Sequence, residues 1–230
     1  TRFAISTEET RYYLNGIYLH PTEGDGTSVL RAVATDGHRL ARVDIPLPEG
    51  AAGMSGVIVP RKTVGEVRKL LDDATDDVEI TVSDTKIHFS TGAIELTSKL
   101  IDGTFPEYQR VIPVGNEKTL TVDCRSFQSA IDRVATISTE KSRAVKLAID
   151  STNVTLSASS ADSGSANEEL EVGYAADPME IGFNARYLLD ITQQIEGDTA
   201  ELSLADPAAP TIIRDQADYR ALYVLMPMRV

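Results

Sequence analysis

The chain has 230 residues, 42% hydrophobic and 25% charged, with 22 Lys and Arg against 35 Asp and Glu and a formal charge of −13. This composition excludes a disordered or collagenous chain, and the length fits one large domain or two of ordinary size. The acidic balance argues against a protein that coats DNA or an anionic membrane by bulk attraction, because mean charge sets non-specific association.

Strand signals dominate the first segment. Runs rich in β-branched and aromatic residues predict strands over 12–19, 30–34 and 40–45. Gly24-Asp25-Gly26 reads as a turn between strands, and Thr35-Asp36-Gly37-His38-Arg39-Leu40 as a second one in which Gly37 supplies an unusual backbone angle. Over 61–71 the period changes to helical. Val64, Val67 and Leu71 share one face, while Arg61, Lys62, Arg68 and Lys69 lie off it. Val78, Ile80 and Val82 then alternate with polar residues, Ser83-Asp84-Thr85 turns the chain, and Lys86-Ile87-His88-Phe89 returns as a hairpin. A strand over 93–98 follows, then a loop holding Phe105, Pro106 and Tyr108.

The second half repeats the grammar. A strand and helix are expected over 119–135, with Asp123 as N-cap, Phe127, Ile131 and Val134 as the apolar stripe, and Arg125 and Arg133 away from it. Val145, Leu147 and Ile149 alternate, Ser151-Thr152-Asn153 breaks the run, and Val154-Thr155-Leu156 resumes it. After a strand over 170–174, a helix over 185–195 has Asn184 as cap, Leu188, Ile191 and Ile195 as stripe, and Arg186 and Gln193 away from it. Strands over 200–204 and 221–226 close the pattern. The ending Met226-Pro227-Met228-Arg229 reads either as a fraying strand or as the soft, Met-rich edge of a peptide groove.

These elements form an internal repeat. Ile5-Ser6-Thr7-Glu8 matches Ile137-Ser138-Thr139-Glu140, the stripe Val64/Val67/Leu71 matches Leu188/Ile191/Ile195, and the strand beginning at Val78 matches the one beginning at Ala200. Two homologous units therefore follow one another, joined near Pro113-Val114-Gly115-Asn116. The second has a strand and helix ahead of its Ile-Ser-Thr-Glu motif; the first has only Thr1 to Ala4 there. The expectation is a first unit lacking its opening strand and most of its first helix, in a natural chain that extends further.

Catalytic chemistry finds little support. His20, His38 and His88 stand apart without partners at metal-ligand spacing, so neither metal nor cofactor is expected. No phosphate loop or dinucleotide fingerprint occurs. Cys124 opens a helix but follows Asp123 and has no catalytic partner in sequence. The acid pairs Asp72-Asp73 and Glu168-Glu169 read as solvated charge. A single cysteine cannot form an internal disulfide, and no signal-type start or bilayer-length apolar run is present; a cytoplasmic, non-membrane protein that is not an enzyme is expected.

Six segments appear in order: Arg11-Tyr12-Tyr13-Leu14-Asn15-Gly16, Ala34-Thr35-Asp36-Gly37-His38-Arg39-Leu40, Ile58-Val59-Pro60-Arg61-Lys62, Asp102-Gly103-Thr104-Phe105-Pro106-Glu107-Tyr108, Glu180-Ile181-Gly182-Phe183-Asn184 and Met226-Pro227-Met228-Arg229. Together they resemble the bacterial sliding clamps, the beta subunits of DNA polymerase III. The resemblance runs from Thr1 to Val230 and covers the middle and C-terminal of the family's three domains. It implies an α+β fold of two tandem sliding-clamp domains, with antiparallel sheets outside and helices on an inner face. The middle domain would occupy 1–112, incomplete at its N-terminus, and the C-terminal domain 113–230.

The family encircles duplex DNA as a head-to-tail dimeric ring and tethers the replicative polymerase, the clamp loader and repair proteins through short linear peptides. By resemblance, Arg61, Lys62, Arg68, Lys69, Arg125, Arg133 and Arg186 would face DNA, making sequence-independent, salt-sensitive phosphate contacts. The peptide pocket would be formed by Leu14, Thr35, Gly37, His38, Arg39, Leu40, Pro106, Arg110, Val111, Asn184, Tyr187, Val224, Leu225, Met226, Pro227, Met228 and Arg229. Thr136 and Ile137 would fall on the ring interface. Without the first domain, the 230-residue chain is expected not to close a ring. Ser142, Ala208 and Pro210 depart from the family's pattern near the pocket and imply a shifted peptide preference. The residues taken alone leave open a β-rich interaction module unrelated to DNA, and a hydrolase would need clustered acids in one cleft.

Overall fold

The computed structural model describes residues 1–72, 77–138 and 143–229 and divides the chain into two units, Thr1–Tyr108 and Gln109–Val230. In the first, β1 (Gly16–Gly24), β2 (Thr27–Thr35), β3 (Arg39–Pro46) and β4 (Val57–Pro60) form an antiparallel run in the order β3-β2-β1-β4. The β1–β2 turn places Asp25 at φ 47° and Gly26 at φ 78°, the two left-handed residues of a tight hairpin whose twist matches its strands. The strand expected over 12–19 begins only at Gly16. Before it, Tyr12–Leu14 closes as a 3-10 turn with Leu14 N donating to Arg11 O at 2.9 Å. Gly16 is where the strands come too close for a side chain, since a Cβ there would lie 2.3 Å from Val59 O.

Helix α1 (Arg61–Asp72) follows β4 directly, its first amide donating to Asn15 O at 2.9 Å. It packs against β1, β4 and the third strand of a separate antiparallel sheet, β5 (Glu79–Val82), β6 (Lys86–Thr91) and β7 (Ile94–Lys99). The local core is small: Val57, Val59 and Ile87, with Leu19, Val64 and Phe89 half-buried around them.

The second unit buries far more. Its strands are β8 (Lys118–Asp123), β9 (Ala144–Ile149), β10 (Asn153–Ser160), β11 (Gly164–Glu171), β12 (Gly173–Tyr174), β13 (Met179–Asn184), β14 (Thr199–Leu204), β15 (Thr211–Asp215) and β16 (Asp218–Leu225). They make two antiparallel arrays, β12-β8-β14-β15-β16 and β11-β10-β9-β13. Helices α2 (Cys124–Ala135) and α3 (Ala185–Thr192) pack on each other, and α2 lies on β9, β10 and β11. The two N-caps form as the sequence predicts: Asp123 Oδ1 accepts from Ser126 N at 2.8 Å, and Asn184 Oδ1 from Arg186 N at 3.0 Å. Gln128 Nε2 donates to Thr192 O at 2.7 Å, tying the end of α3 to α2. The helix expected to reach 195 ends at Thr192, with Gln193 as its C-cap.

The strand expected over 170–174 is split at Val172 between the end of β11, which starts earlier, and the two-residue β12. Three further strands, β4, β13 and β15, were not expected. β4 has four residues, β13 is interrupted by Gly182, and β15 follows a proline, so none gives a long alternating run. Residues 139–142, including Ser142 and half of the repeated motif, and Asp73 lie outside the described residues.

The repeated helices differ sharply in burial. Leu188 and Ile191 of α3 are fully buried, whereas Leu71 of α1 is 43% exposed and Val64 and Val67 are half-buried. Leu188→Ala should therefore cost about 2–5 kcal/mol, while Leu71→Ala should cost under about 1 kcal/mol, in urea unfolding. Amides of α1 should exchange with solvent hydrogen faster than those of α2 and α3.

Candidate functional site

The segment from Thr35 to Leu40 is pinned from several sides. Asp36 Oδ1 accepts from His38 N at 2.9 Å and Arg39 N at 3.1 Å, and Thr35 Oγ1 donates to Arg39 O at 2.7 Å. Gly37 sits at φ 90°, the left-handed region that favours glycine, with the end of the Arg11 side chain against it, 2.7 Å from where a Cβ would lie. Arg39 is buried, paired with Asp36 Oδ2 at 3.1 Å, donating to Phe3 O at 2.8 Å and lying 5.1 Å from the Phe3 ring centroid. Arg11 donates to Asp36 O at 2.9 Å and pairs with Glu8. Leu14 and Leu40 are buried beside this frame in the first unit, and His38 is exposed. Pro106 is exposed between buried Phe105 and Tyr108.

In the second unit the tail is held by one backbone bridge, Met228 N donating to Gly182 O at 2.9 Å. Beside it lies a cleft of about 540 Å³ lined by Glu180, Ile181, Gly182, Pro207, Ala208, Pro227, Met228 and Arg229. Three expected pocket residues, Pro227, Met228 and Arg229, thus share one concavity with Ala208. Met226 and Val111 are 42% and 51% exposed, and Arg110 is exposed. Val224 and Leu225 are buried in β16, Asn184 is occupied as the α3 cap, and Tyr187 follows it on the helix. Pro210 O accepts from Asn116 Nδ2 at 2.8 Å and does not line the cleft. Glu180, Gly182 and Pro207 were missed because they belong to, or face, the unexpected strand β13.

All seven basic residues expected to face DNA are exposed on their helices. Two are already neutralised by neighbours. Arg133 makes a bidentate pair with Glu168 of β11, which raises the Arg133 pKa and lowers that of Glu168, and Lys69 Nζ is 3.1 Å from Glu66. Arg61, Lys62, Arg68, Arg125 and Arg186 make no ion pair among the described residues. Thr136 caps the end of α2 and donates from Oγ1 to Asp132 O at 3.1 Å; Ile137 next to it is half-buried.

The remaining reactive candidates are built into the fold. Cys124 is buried, and that burial pushes its thiol pKa up, the wrong direction for a nucleophile. His88 Nδ1 lies 2.8 Å from Thr97 Oγ1, and His20 Nε2 lies 2.9 Å from the Tyr108 hydroxyl. Among the described residues, no three His, Cys, Asp or Glu side chains gather as a metal site would need.

The family model for the DNA polymerase III beta subunit central domain matches residues 1–107, and that for the C-terminal domain matches residues 109–229. The chain belongs to the DNA polymerase III beta subunit family. Its architecture is α+β, two sliding-clamp domains in tandem. It is 58% identical over all 230 residues to the beta sliding clamp of Caulobacter vibrioides and 38% identical to that of Escherichia coli K12. It spans 62% of the length of each of these relatives. Among solved structures, a sliding clamp from Bartonella birtlesii bound to griselimycin superposes with TM-score 0.96 at 56% identity, covering all of this chain and 62% of that one. A Caulobacter crescentus beta sliding clamp superposes at 0.97 with 58% identity, covering all of this chain and 61% of that one. No helix among the described residues is long and apolar enough to cross a membrane.

The frame around Arg39 predicts a local cost when its acid is removed. Asp36→Ala takes away the acceptor for two amides and leaves a buried guanidinium short of its partner. It should destabilise the first unit by about 2–4 kcal/mol. Urea unfolding followed by a probe in that unit checks this, with Asp36→Asn expected to retain part of the stability through its amide-accepting oxygen.

Proposed function

We propose that this chain is the partner-docking portion of a DNA sliding clamp, a non-enzymatic processivity factor that encircles duplex DNA and tethers the replicative polymerase, the clamp loader and repair proteins through short linear peptides. The observation that carries this reading is the cleft beside the bridged tail, where Pro227, Met228 and Arg229 meet β13. Its lining offers apolar anchors with a backbone frame, the combination that gives a short peptide affinity and register. In this reading the middle domain occupies 1–112 and the C-terminal domain 113–230, and Thr136 and Ile137 contribute to a head-to-tail dimer of the full-length protein.

DNA binding rests on Arg61, Lys62, Arg68, Arg125 and Arg186. Their exposed guanidinium and ammonium groups are suited to non-specific pairing with phosphate, and such pairing permits sliding because it reads no bases. Arg133 and Lys69 contribute less because carboxylates already hold them. The rival reading, a β-rich interaction module unrelated to DNA, treats all seven as solvated charge.

A labelled Gln-Leu-Ser-Leu-Phe peptide should bind with micromolar or tighter affinity, and deletion of residues 226–230 should weaken it by at least about tenfold, or about 1.4 kcal/mol. Absence of binding would reject the docking site. For DNA, replacing Arg125 or Arg186 by Ala should reduce the dependence of log affinity on log salt by about one for each phosphate that is no longer neutralised, whereas Arg133→Ala should leave it nearly unchanged. No change in the salt dependence with any of the three substitutions would favour the rival reading.

A further inference from the structure

Three elements of the first unit meet at one hydroxyl. Tyr108 is 2% exposed, and its Oη lies 2.9 Å from His20 Nε2 and 3.3 Å from Arg31 Nη1. His20 Nδ1 lies 3.2 Å from Pro21 O. A carbonyl only accepts, so Nδ1 carries the proton and Nε2 of the neutral ring is left as an acceptor. Arg31 only donates, so the Tyr108 hydroxyl receives its hydrogen bond and gives its own proton to Nε2. The result is a one-way chain from Arg31 through Tyr108 and His20 to Pro21 O, with every donor used once.

A second proton on the imidazole has no place in this chain. Nε2 would become a donor aimed at an oxygen that Arg31 already approaches, and the hydroxyl proton would lose its acceptor. Two cations would also face each other in a buried site. The titratable and charged groups facing His20 are Tyr18 on its own strand, Arg31 on β2, Asp44 on β3 and Tyr108. Asp44 offers little relief, because both its oxygens are held by Arg31 at 2.7 Å, with Arg42 a further neighbour at 3.8 Å. Phe105 stacks on Tyr18 at 5.0 Å and Tyr18 on His20 at 4.6 Å, so segment 105–108 is fastened to β1 through this same ring.

We propose that His20, Tyr108 and Arg31 form a pH-operated latch, which holds segment 105–108 on the sheet while His20 is neutral and releases it when His20 is protonated. Burial, with a smaller contribution from Arg31, lowers the His20 pKa below its ordinary 6.5. The folded ring therefore binds a proton less readily than the unfolded one. The latch contributes its full stability above that ordinary value and loses it as pH falls through the depressed one. Pro106 stands exposed in the middle of the latched segment.

The test is amide hydrogen exchange of residues 104–108, corrected for intrinsic rates, at about pH 7.5 and about pH 5, which bracket the titration of histidine. Protection should fall by about tenfold or more at the lower pH, because the released state binds the proton more readily than the latched one. His20→Gln retains an acceptor that cannot titrate and should keep its protection at both values. Tyr108→Phe removes the hydroxyl and should leave the segment less protected at both. Equal protection of the unmodified chain at the two values, or an undiminished fall in His20→Gln, would overturn the latch. If exchange behaves as expected and the Gln-Leu-Ser-Leu-Phe peptide binds at neither pH, the docking reading fails and the latch stands. If the peptide binds and exchange does not change with pH, the latch fails and the docking reading stands.

Discussion

Each helix of this protein depends on the junction by which a strand delivers it. β8 ends at Asp123 and β13 at Asn184, and in both the last strand residue turns its side-chain oxygen onto the first free amides of the helix. β4 ends at Pro60, and the first amide of α1 instead finds Asn15 O on the neighbouring chain segment. The cap fixes where the helical period begins, and therefore which side chains point at the sheet. Phe127, Ile131 and Val134 are buried, as are Leu188 and Ile191, and Arg125, Arg133 and Arg186 on the same helices are left exposed. An exposed basic face is thus a by-product of how the core is seated.

Much of this was legible in the sequence because it is local. The helix over Cys124–Ala135 and the caps Asp123 and Asn184 rest on residue types at fixed spacing within a dozen residues. The hairpins over Glu79–Val82 with Lys86–Thr91 and Ala144–Ile149 with Asn153–Ser160 are legible from alternation broken by short polar turns. Alternation failed at β4, β13 and β15, which are short or contain glycine; the partners of β4 and β13 also come from distant parts of the chain. It also extended β1 too far back, because Tyr12 and Tyr13 suit a strand by propensity while the close approach of Gly16 to Val59 sets where pairing can start.

The site was legible to a different degree. The turn around Gly37 could be read as a turn, but not that Asp36, Arg39, Phe3 and Arg11 would lock it, since Phe3 is 36 residues from Arg39 and the hydrogen bond runs to a backbone carbonyl. The cleft beside Met228 was half-visible. The tail gave itself away by composition, whereas its opposite wall is built from Glu180 and Gly182 in a strand that the sequence pattern does not announce. Pairing of Arg133 with Glu168 was hidden for the same reason: the partners lie 35 residues apart and meet only when β11 comes alongside α2.

The charge distribution shows what averaging conceals. The three helices together carry seven Lys and Arg against four Asp and Glu, in a chain whose totals are 22 against 35. Everything outside them is therefore more acidic than the net −13 implies. Mean charge governs long-range attraction, and here it disfavours adhesion of DNA to the surface at large. The potential of an exposed charge falls off within a Debye length, about 8 Å at physiological salt, so a helix face with unpaired arginines can still attract phosphate at close range. An acidic body with locally basic helices is thus suited to a loose, sequence-blind hold on a polyanion: strong enough to persist where the helices face it, and unfavourable everywhere else.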